Sequence, residues 1–153
     1  MSRPTADESF MAMAFLVAKR STCLRRKVGA VLVSPVGHVL ATGRNGTPRG
    51  LKHASEVGCL REKLGIKSGE RAELCRGLHA EQNLLIQLAR EGGCSVGSTI
   101  YCTNQPCSTC AKMLIQAGII KVVYGWAYHD ELAVALFAEA GVVLEMYQGM
   151  WNP

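Results

Sequence analysis

Strand and helix patterns alternate so regularly through the second half of the chain that few folds accommodate them. Ser98 to Thr103 reads as a strand, Pro106 opens a helical stretch from Cys107 to Ala117 that Gly118 ends, and Ile119 to Tyr124 reads as a strand again. Asp130 to Ala140 is helical with Gly141 as its stop, and Val142 to Met146 closes the series. Strands joined through helices run parallel with right-handed crossovers, so helices must cover the sheet. Ahead of them, Val28 to Val33 and His38 to Thr42 form a hairpin about the turn Ser34-Pro35-Val36-Gly37. The expected fold class is α/β with three layers, α/β/α: a mixed five-stranded sheet, its last strands parallel, between helices.

Two more helices complete the reading. Thr5 and Glu8 make a capping box before Phe10, Met13, Ala14 and Val17 recur at helical spacing. Leu84, Leu85 and Leu88 line one face of a helix from His79 to Arg90, which Gly92-Gly93 terminates. Between hairpin and helix, Gly43 to about Arg76 is glycine-rich, polar and weakly periodic, too long for a plain connection and therefore expected to be a functional or metal-tied insertion.

The chain is expected to be one domain, 1–153, since 48% hydrophobic and 19% charged residues over 153 positions suit a single core. Folding at about this length buries roughly 70% of the unfolded surface, so no disulfide staple is needed and seven cysteines ask for another explanation. An odd cysteine count fits free thiols or metal ligands in a reducing compartment. The apolar run Phe10 to Ala18 is too short to span a bilayer and follows acidic Asp7 and Glu8, so the expected location is cytoplasmic, without membrane contact. Lys and Arg exceed Asp and Glu 17 to 12, which suits an anionic ligand. The densest basic run, Arg25-Arg26-Lys27, reads as a phosphate clamp or as a solvated loop.

The chemistry is concentrated in two helix starts, His79-Ala80-Glu81 and Pro106-Cys107-Ser108-Thr109-Cys110. Cysteines at i and i+3 of a first helical turn face the same way, and the helix dipole and a cation both favour their thiolates. With His79 they make three protein ligands for a tetrahedral Zn²⁺, leaving the fourth position to water, which is the catalytic arrangement; a structural site is closed by four ligands. Glu81, two residues past the histidine, points beside the metal rather than at it. It is the expected proton shuttle, taking a proton from water whose pKa zinc has lowered to about 7, passing it to ring N3 of a cytosine, and later protonating the departing ammonia. A lone C-x-x-C also fits a redox pair or half of a structural zinc knuckle. The conjunction of His-x-Glu with Pro-Cys-x-x-Cys is the signature of zinc-dependent nucleobase deaminases.

The chain resembles the deoxycytidylate (dCMP) deaminase family of the cytidine deaminase-like superfamily. The likeness runs from Ser21-Thr22-Cys23 to Tyr128 through Val28-Gly29-Ala30-Val31, Gly43 to Gly50, Cys75 to Glu81 and Ala117-Gly118-Ile119. It implies hydrolysis of dCMP to dUMP and ammonia for thymidylate synthesis, and a homo-oligomer, often a hexamer, or a dimer. It also implies activation by dCTP and inhibition by dTTP, with Mg²⁺ accompanying the regulatory nucleotide. On the same likeness Asn45 reaches the substrate sugar, Ala80 and Thr103 lie at the base, Tyr128 covers the nucleotide and Arg26 meets the phosphate. The regulatory site is assigned to Arg44, Gly46, Gln87 and Arg90, with Arg44 standing where the family has tyrosine.

A second, structural zinc is expected on Cys23, Cys59 and Cys75, because a long polar insertion orders more readily around a metal clip. Relatives place a fourth cysteine where this chain has Ala54, so neighbouring His53 is the expected fourth ligand. The catalytic motif also serves enzymes acting on tRNA adenosine, dCTP or cytidine. Aromatic residues at 6% and the lack of a strongly basic stripe speak against a nucleic-acid partner.

Overall fold

The computed structural model describes residues 3–149. In chain order the elements are α1 (Ala6–Ala18), β1 (Gly29–Val33), β2 (Val39–Arg44), α2 (Ala54–Val57), α3 (Leu60–Lys63), a 3₁₀ turn (Ala72–Leu74), α4 (Ala80–Glu91), β3 (Thr99–Asn104), α5 (Ser108–Gln116), β4 (Lys121–Trp126), α6 (Glu131–Glu139) and β5 (Val143–Met146). The sheet order is β2-β1-β3-β4-β5. β1 is antiparallel to both β2 and β3, while β3, β4 and β5 run parallel, as the alternating pattern predicts. Among the described residues no helix is long and apolar enough to cross a membrane.

Period-2 alternation divides the strand residues between two cores. On one face Ala30, Leu32, Ile100, Cys102 and Val122 pack against Leu84 and Leu88 of α4, Leu114 of α5 and Phe137 of α6. On the other, Val31, Val33, Tyr101 and Val123 meet Met11, Ala14 and Phe15 of α1. Each large side chain buried here contributes about 1.5–3 kcal/mol relative to exposure.

The Thr5–Glu8 capping box opens α1 as expected. Its buried face is Met11, Ala14, Phe15 and Ala18, one residue on from the series Phe10, Met13, Ala14 and Val17. Both series have helical spacing and both are apolar, so only packing against β1 selects between them. Glycine permits that packing: a Cβ at Gly29 would lie 2.1 Å from the Ala14 carbonyl oxygen.

Candidate metal centre and its cavity

β3 ends at Asn104 and the chain turns through Pro106 into α5, while the insertion delivers the chain to α4 beside it. Gly46 and Leu78 exchange backbone hydrogen bonds of 3.1 and 2.9 Å, and the His79 N–H donates to Gln82 Oε1 at 2.9 Å, fixing the approach to α4. His79 and Cys107 are the N-cap residues of α4 and α5, positions where Ser, Thr or Asp ordinarily caps the helix, and neither side chain does so. They turn toward each other. His79 Nδ1 lies 3.4 Å from Cys107 Sγ and 3.3 Å from Cys110 Sγ, and the three ligand atoms all fall within 4.8 Å of one another. A tetrahedral zinc with ordinary Zn–S and Zn–N bonds separates such ligands by about 3.5 Å, so two thiols and an imidazole at this spacing fit the ion.

Electrostatics agree with the geometry. The hydrogen bond with Cys107 raises the pKa of His79, against burial and against the nearby positive charge of Arg61. Cys107 is drawn well below the usual thiol range, first by its hydrogen bond from Cys110 and also by His79, while the same bond and burial push Cys110 up. The two sulfurs share a proton that a cation would displace. Glu81 is 4% exposed, and burial raises its carboxyl above the ordinary range, against its own backbone N–H and His79. Its protonated form is favoured by that burial, two residues along the chain from the ligand His79.

His79, Glu81 and Cys107 open into a cavity of about 890 Å³. The loop before β1, the insertion and Tyr128 also line it.

The sequence profile of the cytidine and deoxycytidylate deaminase zinc-binding region matches residues 4–126. The chain belongs to this family. It is 44% identical over 148 residues to the deoxycytidylate deaminase of Schizosaccharomyces pombe, covering 95% of this chain and 45% of that protein. It is 38% identical over 156 residues to that of Saccharomyces cerevisiae, covering 100% of this chain and 48% of that protein. The chain thus spans about half the length of these two relatives. The dCMP deaminase of cyanophage S-TIM5, crystallised with dCMP and dUMP, aligns with a TM-score of 0.79 at 34% identity over 96% of this chain and 100% of the phage chain. The fold is the three-layer α/β/α arrangement of these deaminases.

Seen on the family's fold, several sequence expectations meet in one place. Ala80, Asn45, Arg26 and Tyr128 all line the cavity. The Arg26 guanidinium sits 5.6 Å from the centre of the Tyr128 ring. Asn45 is also a structural clamp: its Oδ1 accepts from Val28 N–H at 2.9 Å and its Nδ2 donates to the Arg26 carbonyl at 2.7 Å, leaving one N–H free.

Thr103 is corrected. Alternation along β3 turns it with Tyr101 toward the α1 face, where it is fully buried, accepts from Gly29 N–H at 3.1 Å and donates to Asn104 Oδ1 at 3.1 Å. Asn104 and Gln105, one and two residues on, line the cavity instead.

The residues expected to hold a second zinc are not brought to metal spacing. Among the described residues the only group of three or more ligand atoms at metal spacing is His79, Cys107 and Cys110. Cys23, Cys59 and Cys75 line the cavity wall as free thiols, Ala54 supplies no ligand, and His53 Nδ1 is 3.1 Å from Thr22 Oγ1.

The expected regulatory residues are divided. Gly46 faces the cavity, Arg44 ends β2 half-buried with its carbonyl accepting from Asn83, and Gln87 and Arg90 are exposed on α4.

Sequence reasoning missed Arg61, Gln105 and Asp130 as parts of the site, and named Arg25 only within a basic run. Asp130 accepts from Ser108 N–H at 2.7 Å and from Ala133 N–H at 3.0 Å, tying the zinc helix α5 to α6. Its place as a helix N-cap was legible; its second partner, 22 residues away, was not.

Proposed function

We propose that the chain is a zinc-dependent hydrolase that converts dCMP and water to dUMP and ammonia, acting on the C–N bond of a cyclic amidine. The observation that carries the reading is the convergence of His79, Cys107 and Cys110 with buried Glu81 in one cavity, supported by the family match and by relatives named as dCMP deaminases. Zinc held by those three residues supplies Lewis acidity that makes water a nucleophile at neutral pH. Glu81 accepts one proton of the attacking water as C–O forms at C4 and places it on ring N3, where dUMP keeps it; it then takes the remaining proton from the new C4 hydroxyl and gives it to the amino group, so that C–N breaks and ammonia leaves. Its buried carboxyl, raised by desolvation, carries each of the two protons in turn. Asn45, Ala80 and Tyr128 hold the nucleotide against this centre.

The test is ammonia release by the purified, zinc-loaded protein from dCMP, dCTP, cytidine and a tRNA adenosine loop. The expected result is efficient turnover of dCMP alone. Equal efficiency on cytidine, or turnover of the tRNA loop only, overturns the substrate assignment.

Regulation by dCTP and dTTP, with Mg²⁺, and a homo-oligomeric state belong to the same reading, because cooperativity needs several coupled sites. Exposed apolar side chains on α6 and β5, Leu132 (57%), Val143 (53%) and Met146 (42%), offer surface for a second copy. A rate curve in dCMP that stays hyperbolic and indifferent to both triphosphates removes the regulatory part. So does a monomeric mass in solution.

A further inference from the structure

Helix α5 begins on a metal ligand, and this leaves its first turn short of an oxygen acceptor. The first N–H groups of a helix have no partner within it, and Ser, Thr, Asp or Asn at the N-cap ordinarily satisfies one of them. At the N-cap of α5 stands Cys107, which makes no side-chain capping hydrogen bond. Its sulfur is a weak acceptor and lies 3.4 Å from His79 Nδ1.

The missing oxygen comes from the next helix. Asp130 Oδ2 accepts from the Ser108 N–H, the first of α5, at 2.7 Å, while Oδ1 accepts from the Ala133 N–H at 3.0 Å and caps α6. One carboxylate thus serves two helix starts. It does so from a braced position, because the Asp130 N–H donates to the Tyr128 carbonyl at 2.8 Å and tightens the turn between β4 and α6.

The bond to Ser108 acts on the ligand beside it. Ser108 N belongs to the peptide group that follows Cys107, so Asp130 holds the ligand's ψ, which is 169°. The preceding side is held as well: Pro106 has a fixed φ, and the Gln105 N–H donates to the Trp126 carbonyl at 2.9 Å. Cys107 is therefore fastened to β4 before it and to α6 after it. Metal–ligand distances tolerate only about 0.2 Å, so a peptide group free to turn would spoil the fit of the sulfur.

We propose that Asp130 is a positioning residue for the metal centre, holding the Cys107–Ser108 peptide group so that Cys107 Sγ is aimed at the ion. The inference rests on the zinc reading above. Its consequence is read in metal affinity, since loss of such an outer partner weakens binding by about ten- to a hundred-fold.

The experiment measures zinc Kd by chelator competition, and the thiolate-to-metal absorption of the cobalt-loaded protein, for wild type, Asp130→Ala, Ser108→Pro and Thr5→Ala. Ser108→Pro deletes the N–H that Asp130 holds and keeps the aspartate, at a first-turn position that proline favours. Thr5→Ala removes the cap of another helix, α1, and so reports what losing a cap does by itself. Asp130→Ala and Ser108→Pro are expected to bind zinc roughly ten- to a hundred-fold more weakly and to change the cobalt absorption, with Thr5→Ala matching wild type in both.

If Asp130→Ala fails to fold, Ser108→Pro carries the test, since it keeps the acceptor that caps α6. Zinc affinity and cobalt absorption like those of wild type in the variants at positions 108 and 130 overturn the assignment, and so does an equal loss in Thr5→Ala. A wild type that binds no zinc overturns the zinc reading itself.

Discussion

Glu81 and His79 are two residues apart in sequence and have opposite work, which follows from where the helix starts. His79 is outside the first turn as N-cap and meets the sulfurs; Glu81, inside it, is buried against the cavity floor. Replacing Glu81 with Gln keeps shape and hydrogen bonding but removes the carried proton. Glu81→Gln is expected to retain zinc, by metal analysis, and to lose about 10² to 10⁴ in turnover. Near-normal turnover would reject the proton-transfer role. The metal ligands and Glu81 were legible from sequence because their chemistry demands fixed spacings. Thr103 was misplaced because β3 continues to Asn104, and a side chain's face depends on strand parity near its end, which residue type does not reveal. That Arg25, Arg61 and Gln105 line one cavity was not legible at all, since segments far apart in the chain meet to form it.

At the scale of elements, the parallel half could be read directly because glycines stop its helices. Gly92, Gly118 and Gly141 all adopt positive φ, a conformation that other residues rarely take. The insertion could not be read that way: its helices are four residues long, too short for any periodicity to show. The joint most exposed to single mutation is Asp130, which caps α6 and holds the first N–H of α5. Burial pushes its carboxyl up, but the Ser108 and Ala133 N–H groups win and hold it below its ordinary value. A depressed carboxylate stabilises the fold above its unfolded pKa and loses that contribution as pH falls through the folded one. Asp130→Ala is therefore expected to cost about 1–2 kcal/mol at neutral pH in denaturant melts, and the gap to wild type is expected to close below about pH 4. A gap that is the same at both pH values would show that packing, not charge, is what Asp130 supplies.

For the whole molecule, the decisive quantity is how many metal ions one chain holds. The metal centre joins the two halves of the fold, because His79 arrives from the insertion side and Cys107 and Cys110 from the parallel half. An ion there closes a long loop and neutralises two thiols that otherwise share a proton, so its removal is expected to destabilise the chain as a unit. The insertion is held by other means: Arg25 and Arg61 grip residues 66 and 67, and the Gly46–Leu78 bridge fastens its base. With those bonds in place, His53 Nδ1 beside Thr22 and alanine at position 54, Cys23, His53, Cys59 and Cys75 form no group at metal spacing among the described residues. Metal analysis of active protein is expected to give one zinc per chain, lost in Cys107→Ser and Cys110→Ser and kept in Cys59→Ser and His53→Ala, with chelation lowering the melting temperature of the wild type. Two zinc ions per chain, one of them lost in Cys59→Ser, would mean that the insertion rearranges around a metal and that the grip of the two arginines is not what orders it.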